Sequence, residues 1–163
     1  MRTNQITHNG IKHLCASIEN NTAINELILA NNIIGDKGAR HLWALLKVNN
    51  TLTSLDISRN QITENCIDEL KNALKENYSL TDLSLSLEDF NDNPATGDIK
   101  SYLKRNQLLR HNLFNAIIEE KSDEMLRLIN QGVSLVCTSS LHKKDAFTFG
   151  STPKKHQDDK IIS

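Results

Sequence analysis

Sliding the chain against itself by 28 residues aligns like with like across residues 4–107, and this internal period constrains the fold more than any other feature. Ile24, Leu52 and Leu80 fall together, as do Leu27, Leu55 and Leu83, and then Leu29, Ile57 and Leu85. Polar positions keep the same step: Asn4, Asn32 and Asn60 form one series, and Asn21, Asn49 and Asn77 another. Residues 24–51 and 52–79 are two full copies, 80–107 is a weaker third, and 4–23 match the back half of a preceding copy. Inside each copy the spacing of apolar residues changes. Leu55 and Ile57 alternate around one residue, which predicts a short strand. Ile67, Leu70, Ala73 and Leu74 then follow at helical spacing, as do Ala39, Leu42, Leu45 and Leu46 one copy earlier. Each unit is therefore read as a strand, a turn and a helix. A lone strand and helix cannot bury their apolar faces, so neighbouring units must stack.

The run Leu52-x-x-Leu55-x-Ile57-x-x-Asn60 resembles the leucine-rich-repeat consensus. The 28-residue length with a long helix is similar to the ribonuclease-inhibitor and Ran GTPase-activating-protein subclass. That resemblance implies an α/β fold: a short solenoid over residues 1–107, with parallel strands on a concave face and helices on a convex one. It also implies a structural ladder in which the side chains of Asn4, Asn32 and Asn60 satisfy backbone groups where the chain leaves each strand. The third copy departs from the pattern. Glu88 stands at the Asn position, Phe90 replaces a small aliphatic, Pro94 follows in a polar stretch, and Ile99, Leu103 and Asn106 sit 29 residues after their counterparts. Such a slip suits a capping unit at the end of an array.

From Leu108 the 28-residue pattern is lost, and residues 108–137 are expected to form a helical hairpin. Its arms are read from Leu113, Ala116 and Ile117 and from Met125, Leu128 and Ile129, with Ser122 as N-cap and Gly132 as C-cap. The stretch Leu113-x-x-Ala116 followed by Leu128-Ile129-x-x-Gly132 is similar to an ankyrin repeat, and Gly150-Ser-Thr-Pro153 matches the opening of one. The Leu-His expected after that proline is missing. Two readings therefore stand: an ankyrin-like unit or a plain cap. Residues 138–163 read as a flexible polar tail.

Lys and Arg total 19 against 20 Asp and Glu, a balance that supplies no driving force toward nucleic acid or an anionic membrane. No apolar run is long enough for a membrane span, and Met1–Gln5 leads into no signal core. A cytoplasmic location is expected, the alternative being secretion into a host cell by a signal-peptide-independent route. Cys15, Cys66 and Cys137 are odd in number and widely spaced, which predicts reduced thiols rather than a disulfide framework. The histidines, His8, His13, His41, His111, His142 and His156, make no ligand pattern, and His13 beside Cys15 is too little for zinc. No metal, cofactor, small-molecule substrate or catalytic residue is expected. The Asn-x-Ser/Thr motifs at Asn20, Asn49 and Asn77 recur because a helix-to-strand turn recurs, which favours a structural role over glycosylation. Gly35 and Gly38 are read as easing a turn, and Trp43 as either core or surface anchor.

What remains is binding. Residues between the leucines point away from the core. They are Glu26, Ile28 and Asn31 in the first copy, Ser54, Asp56 and Arg59 in the second, and Asp82, Ser84 and Ser86 in the third. Side by side they make a shallow, mildly acidic strip on the strand face. The function expected is a non-enzymatic protein-protein interaction module using that strip. The subclass resemblance offers a GTPase-regulating alternative, although no catalytic arginine maps onto the chain. A third reading is the targeting fragment of a larger bacterial effector.

Overall fold

The computed structural model describes residues 4–85, 90 and 92–133 of the 163. The chain runs through α1 (His8–Ile18), β1 (Glu26–Ile28), α2 (Gly35–Val48), β2 (Ser54–Asp56), a single 3₁₀ turn (Glu64–Cys66), α3 (Ile67–Glu76), β3 (Asp82–Ser84), α4 (Ala95–Ile118) and α5 (Ser122–Asn130). The three strands form one parallel sheet in the order β1-β2-β3. Leu27 is in register with Leu55 and Leu55 with Leu83. Each connection between strands carries a helix, as a parallel pair requires. The helices lie side by side in chain order, α1 on α2, α2 on α3 and α3 on α4.

One core fills the space between sheet and helices. Leu52, Leu55, Ile57 and Leu80 meet Leu42, Leu46, Ile67, Leu70 and Leu74 there, all buried. Trp43 belongs to this core, only 2% exposed, so packing and not surface anchoring is its role. The two glycines of α2 serve different ends. Gly35 has φ +60° and turns the chain into the helix. Gly38 lies within the helix and is buried, where a Cβ would come within 3.2 Å of the His8 backbone. It permits close approach of α1 and α2 rather than a turn.

The solenoid expected from the sequence is corrected here. The described residues form a small mixed domain of five helices and three strands of three residues each. A solenoid extends because every unit ends on a face like the one it began with. Here α4 breaks that rule. It is 24 residues long, and its second half packs Leu113 and Ala116 against Leu128 and Val133 of the following segment. The expected division between residues 107 and 108 falls inside this unbroken helix, so the first arm of the expected hairpin is the end of α4. Ser122 is the first residue of α5 and makes no side-chain cap. Gly132 follows the helix at φ +84°, with its N–H donated to Ile129 O (2.9 Å) and Val133 N–H to Leu128 O (3.3 Å), which closes α5 in a Schellman arrangement. The ankyrin-like Gly150–Pro153 motif, Cys137, His142, His156, Ser86 and the tail 138–163 lie outside the described residues.

Candidate protein-binding face

Two rows of residues cross the outer face of the sheet. Glu26, Ser54 and Asp82 share one register line, and Ile28, Asp56 and Ser84 the next. Glu26, Asp82 and Ser84 are exposed, Ser54 and Asp56 are half-buried, and Ile28 is 67% exposed. The carboxylates are not equivalent. Asp56 Oδ1 accepts from the Ser58 N–H (3.0 Å) and the Ser58 hydroxyl (2.8 Å), so it is committed to the turn after β2. Among the described residues Asp82 accepts only a long bond from the Ser54 hydroxyl, 3.4 Å. With neighbouring strands about 4.8 Å apart, Glu26 and Asp82 stand roughly 10 Å from one another, about one Debye length at physiological salt. Their repulsion is therefore weak, and the face carries only a mild negative field. Asn31 (φ 59°) and Arg59 (φ 55°) sit beyond the strands in left-handed turn positions one step apart. Arg59 is exposed and Asn31 half-buried.

Beside this face run two series of buried amides. In the first, Asn32 Oδ1 accepts from the Ile6 N–H (3.1 Å) and Asn60 Oδ1 from the Asn32 N–H (3.1 Å). Both side chains donate to the Leu29 carbonyl, at 2.8 and 2.9 Å. Asn4 is exposed. The second series lies at the helix-to-strand turns, at the Asn-x-Ser/Thr motifs of Asn49 and Asn77. Asn49 donates to Ile18 O and Asn21 O, Asn77 to Leu46 O and Asn49 O, and Asn106 to Asn77 O and Leu80 O. Asn106 thus takes the place of an amide at a step of 29, which gives the one-residue slip of the third copy a structural reason.

Several contacts left no mark in the sequence pattern. Arg105 of α4 donates to Leu74 O (3.0 Å), Lys75 O (3.2 Å) and Asn77 O (2.7 Å), carbonyls at the C-terminal end of α3. Its guanidinium lies over Tyr78 at 4.1 Å and Tyr102 at 5.1 Å. Arg40 pairs with Glu69 at 2.9 Å across α2 and α3, but both groups are nearly half exposed, so the net contribution is small. Cys15 and Cys66 are buried free thiols, and burial pushes both up to about 11. Among the described residues no group of three His, Cys, Asp or Glu is placed to hold a metal ion, and no helix is long and apolar enough to cross a membrane.

Asp36, in the first turn of α2, is tied to the next unit. Its carboxylate accepts from the Thr63 N–H (2.7 Å) and the Thr63 hydroxyl (2.7 Å). Burial alone would raise its pKa, but the bonds from Thr63, the Cys66 thiol and the nearby Arg40 together hold it below the ordinary carboxylate value. A carboxyl depressed by folding stabilises the fold above its unfolded pKa, about 3.9, and that contribution disappears as pH falls through the lower folded value. Asp36→Asn is therefore expected to flatten the acid limb of the melting-temperature profile below about pH 4. Parallel limbs in both proteins would show that the Thr63 bonds carry no linkage.

No family model and no curated protein match the sequence. Solved structures do match the fold. The structure of leiomodin-1 actin-binding site 2 superposes with a TM-score of 0.55 at 21% identity, covering 78% of this chain and 66% of that one, just under two thirds of its length. The tropomodulin C-terminal domain of Caenorhabditis elegans matches at 20% identity with a TM-score of 0.41, covering 78% of this chain and 83% of that one. The class of domain is thereby set: a small helical domain with a short parallel sheet, similar in fold to the leiomodin-1 domain. The resemblances drawn from the sequence to ribonuclease-inhibitor-like and Ran GTPase-activating-protein-like solenoids, and to ankyrin repeats, are corrected by this match.

Proposed function

We propose that this chain is a non-enzymatic protein-binding domain and that its partner docks on the outer face of the sheet. The observation that carries the reading is the fold shared with a domain described as an actin-binding site, which makes actin the first partner to test. The face has suitable chemistry for a protein surface: an exposed apolar residue, Ile28, set among Glu26, Asp82 and Ser84. Apolar area supplies affinity, and flanking charges fix orientation and rate of encounter. The GTPase-regulating alternative gains nothing from Arg105, whose guanidinium is spent on three carbonyls.

The test is a direct titration of the purified chain against monomeric and filamentous actin. The double variant Asp82→Arg, Ser84→Arg is expected to weaken binding about tenfold, while circular dichroism stays unchanged. Absence of binding to either form by the unaltered chain disposes of actin as partner. Equal binding by the variant disposes of the sheet face.

A further inference from the structure

Neighbouring helices are joined in different ways along the helix layer. Between α2 and α3, Arg40 pairs with Glu69 at 2.9 Å and donates to Asn65 O at 3.3 Å. Between α3 and α4, Arg105 donates to Leu74 O and Lys75 O, and Lys71 lies 3.9 Å from Asp98. Among the described residues no ion pair or side-chain hydrogen bond joins α1 to α2. A groove of about 430 Å³ opens there instead. Its floor is Cys15 and Leu45, both buried, and its walls are exposed Ala16, Ala44 and Val48. The 28-residue step shows why it stays open. One unit on, Cys15 becomes Trp43, which fills the floor, while Ala44 becomes Asn72 and Val48 becomes Glu76. Small apolar residues meet across α1 and α2 where bulky or polar ones meet across α2 and α3.

The two ends of the groove differ in charge. Lys12 and His41 line one end and Glu19 the other, and among the described residues none of these side chains makes a hydrogen bond or ion pair. Lys12 and Glu19 are seven residues apart, about 10.5 Å along one helix face. The Glu19 end is also where α1 and α2 both finish, at Ile18 and Val48, so two negative dipole ends add to the carboxylate. Lys47, level with Glu19 by the 28-residue step, does not line the groove.

From this arrangement we infer that the groove between α1 and α2 seats an amphipathic helix of a partner protein. That helix runs antiparallel to α1 and α2, with a cation toward its N-terminal end and a carboxylate about two turns later. The mode is a helix laid in a groove, with anchors at i, i+3, i+4 and i+7. Aliphatic side chains at i+3 and i+4 fill the space over Ala16 and Ala44. A lysine at i then meets Glu19, and a glutamate at i+7 meets Lys12. The antiparallel sense also sets the positive N-terminal end of the partner helix on the negative ends of α1 and α2. A second copy of this chain offers the right charge order on its own α1, Lys12 before Glu19, but with only Ala16 between them to fill the groove. The groove belongs to the helix layer, so the inference goes beyond the reading of the sheet face and is tested without actin.

The probe is a fluorescein-labelled, alanine-rich peptide of about 16 residues, long enough to populate a helix. It carries lysine at i, leucine at i+3 and i+4, and glutamate at i+7. Titrated against the full chain by anisotropy, it is expected to bind saturably, about tenfold more tightly than the same peptide with lysine and glutamate exchanged. The double variant Lys12→Glu, Glu19→Lys should invert that preference, and Ala44→Glu should weaken the lysine-first peptide about tenfold. All three positions are exposed, and circular dichroism should stay unchanged. No saturable binding overturns the inference, as does equal binding by the two peptides or a preference that the double variant leaves in place. Sedimentation of the chain alone as a dimer that Ala44→Glu disperses also overturns it, by giving the groove to a second copy.

Discussion

Asn60→Ala is expected to lower the unfolding free energy by about 3 kcal/mol, the scale set by several buried polar groups losing one partner. The side chain is 2% exposed and bonds in four directions. It donates to Leu29 O (2.9 Å), Ile57 O (3.0 Å) and Ser58 O (3.1 Å), and accepts from the Asn32 N–H (3.1 Å). Leu29 O keeps its bond from Asn32 and Ser58 O its bond from the Asn31 N–H, so the orphaned groups are Ile57 O and the Asn32 N–H. A buried polar group that loses its partner bears its desolvation cost. Asn60→Asp separates donor from acceptor. A carboxylate still accepts from Asn32 but meets three carbonyls as like charge, so this variant should be at least as unstable at neutral pH. Its folded pKa would be raised, and part of the stability should therefore return on acidification through that value. Asn4→Ala, at an exposed position of the same series, should change stability by less than about 0.5 kcal/mol. Equal denaturant midpoints for Asn60→Ala and Asn4→Ala would show that the buried amide bonds are energetically idle.

Arg105→Ala is expected to cost about 2 kcal/mol, from charged hydrogen bonds and stacking on aromatic rings. The guanidinium donates to three carbonyls where α3 ends, sharing Asn77 O with the Asn106 amide, and joins α4 to Tyr78. Burial lowers its pKa, with Tyr78 and Tyr102 acting the other way, yet an arginine remains a cation across the working range. Arg105→Lys keeps the charge but lacks the planar fork, so it should recover less than half of the loss. Full rescue by lysine would reduce the role to charge alone. Because α5 packs on α4, hydrogen exchange in residues 122–130 should accelerate with the alanine variant, and unchanged protection there would separate the clamp from the C-terminal end of the domain.

The two amide series show why some of this was legible. Leu27, Leu55 and Leu83, with Asn32 and Asn60, recur because each answers a local need, to bury a strand face or to satisfy a turn carbonyl. A need that recurs at a fixed step leaves a recurrent residue. Arg105 left no such trace. Its partners are backbone carbonyls 28 to 31 residues away, and every residue type carries a carbonyl. The length of α4 was hidden for a related reason. Nothing breaks the helix at residue 107, and only the end of the 28-residue pattern suggested a boundary there. The same limit misled the choice of family. Strand and turn chemistry fixes what one unit looks like, but not how many units stack or how the last one is closed.

By itself the chain's order of residues determined the three-strand register, the helical faces of α2 and α3, and the outward set that includes Glu26, Ile28 and Asp82. Those depend on side-chain periodicity, which is written along the chain. Only the tertiary structure decided that Gly38 is a contact between α1 and α2, that Trp43 is core, and that α4 continues to meet α5. Each of these is set by what lies across a gap in space, and a neighbour's backbone has no signature in sequence.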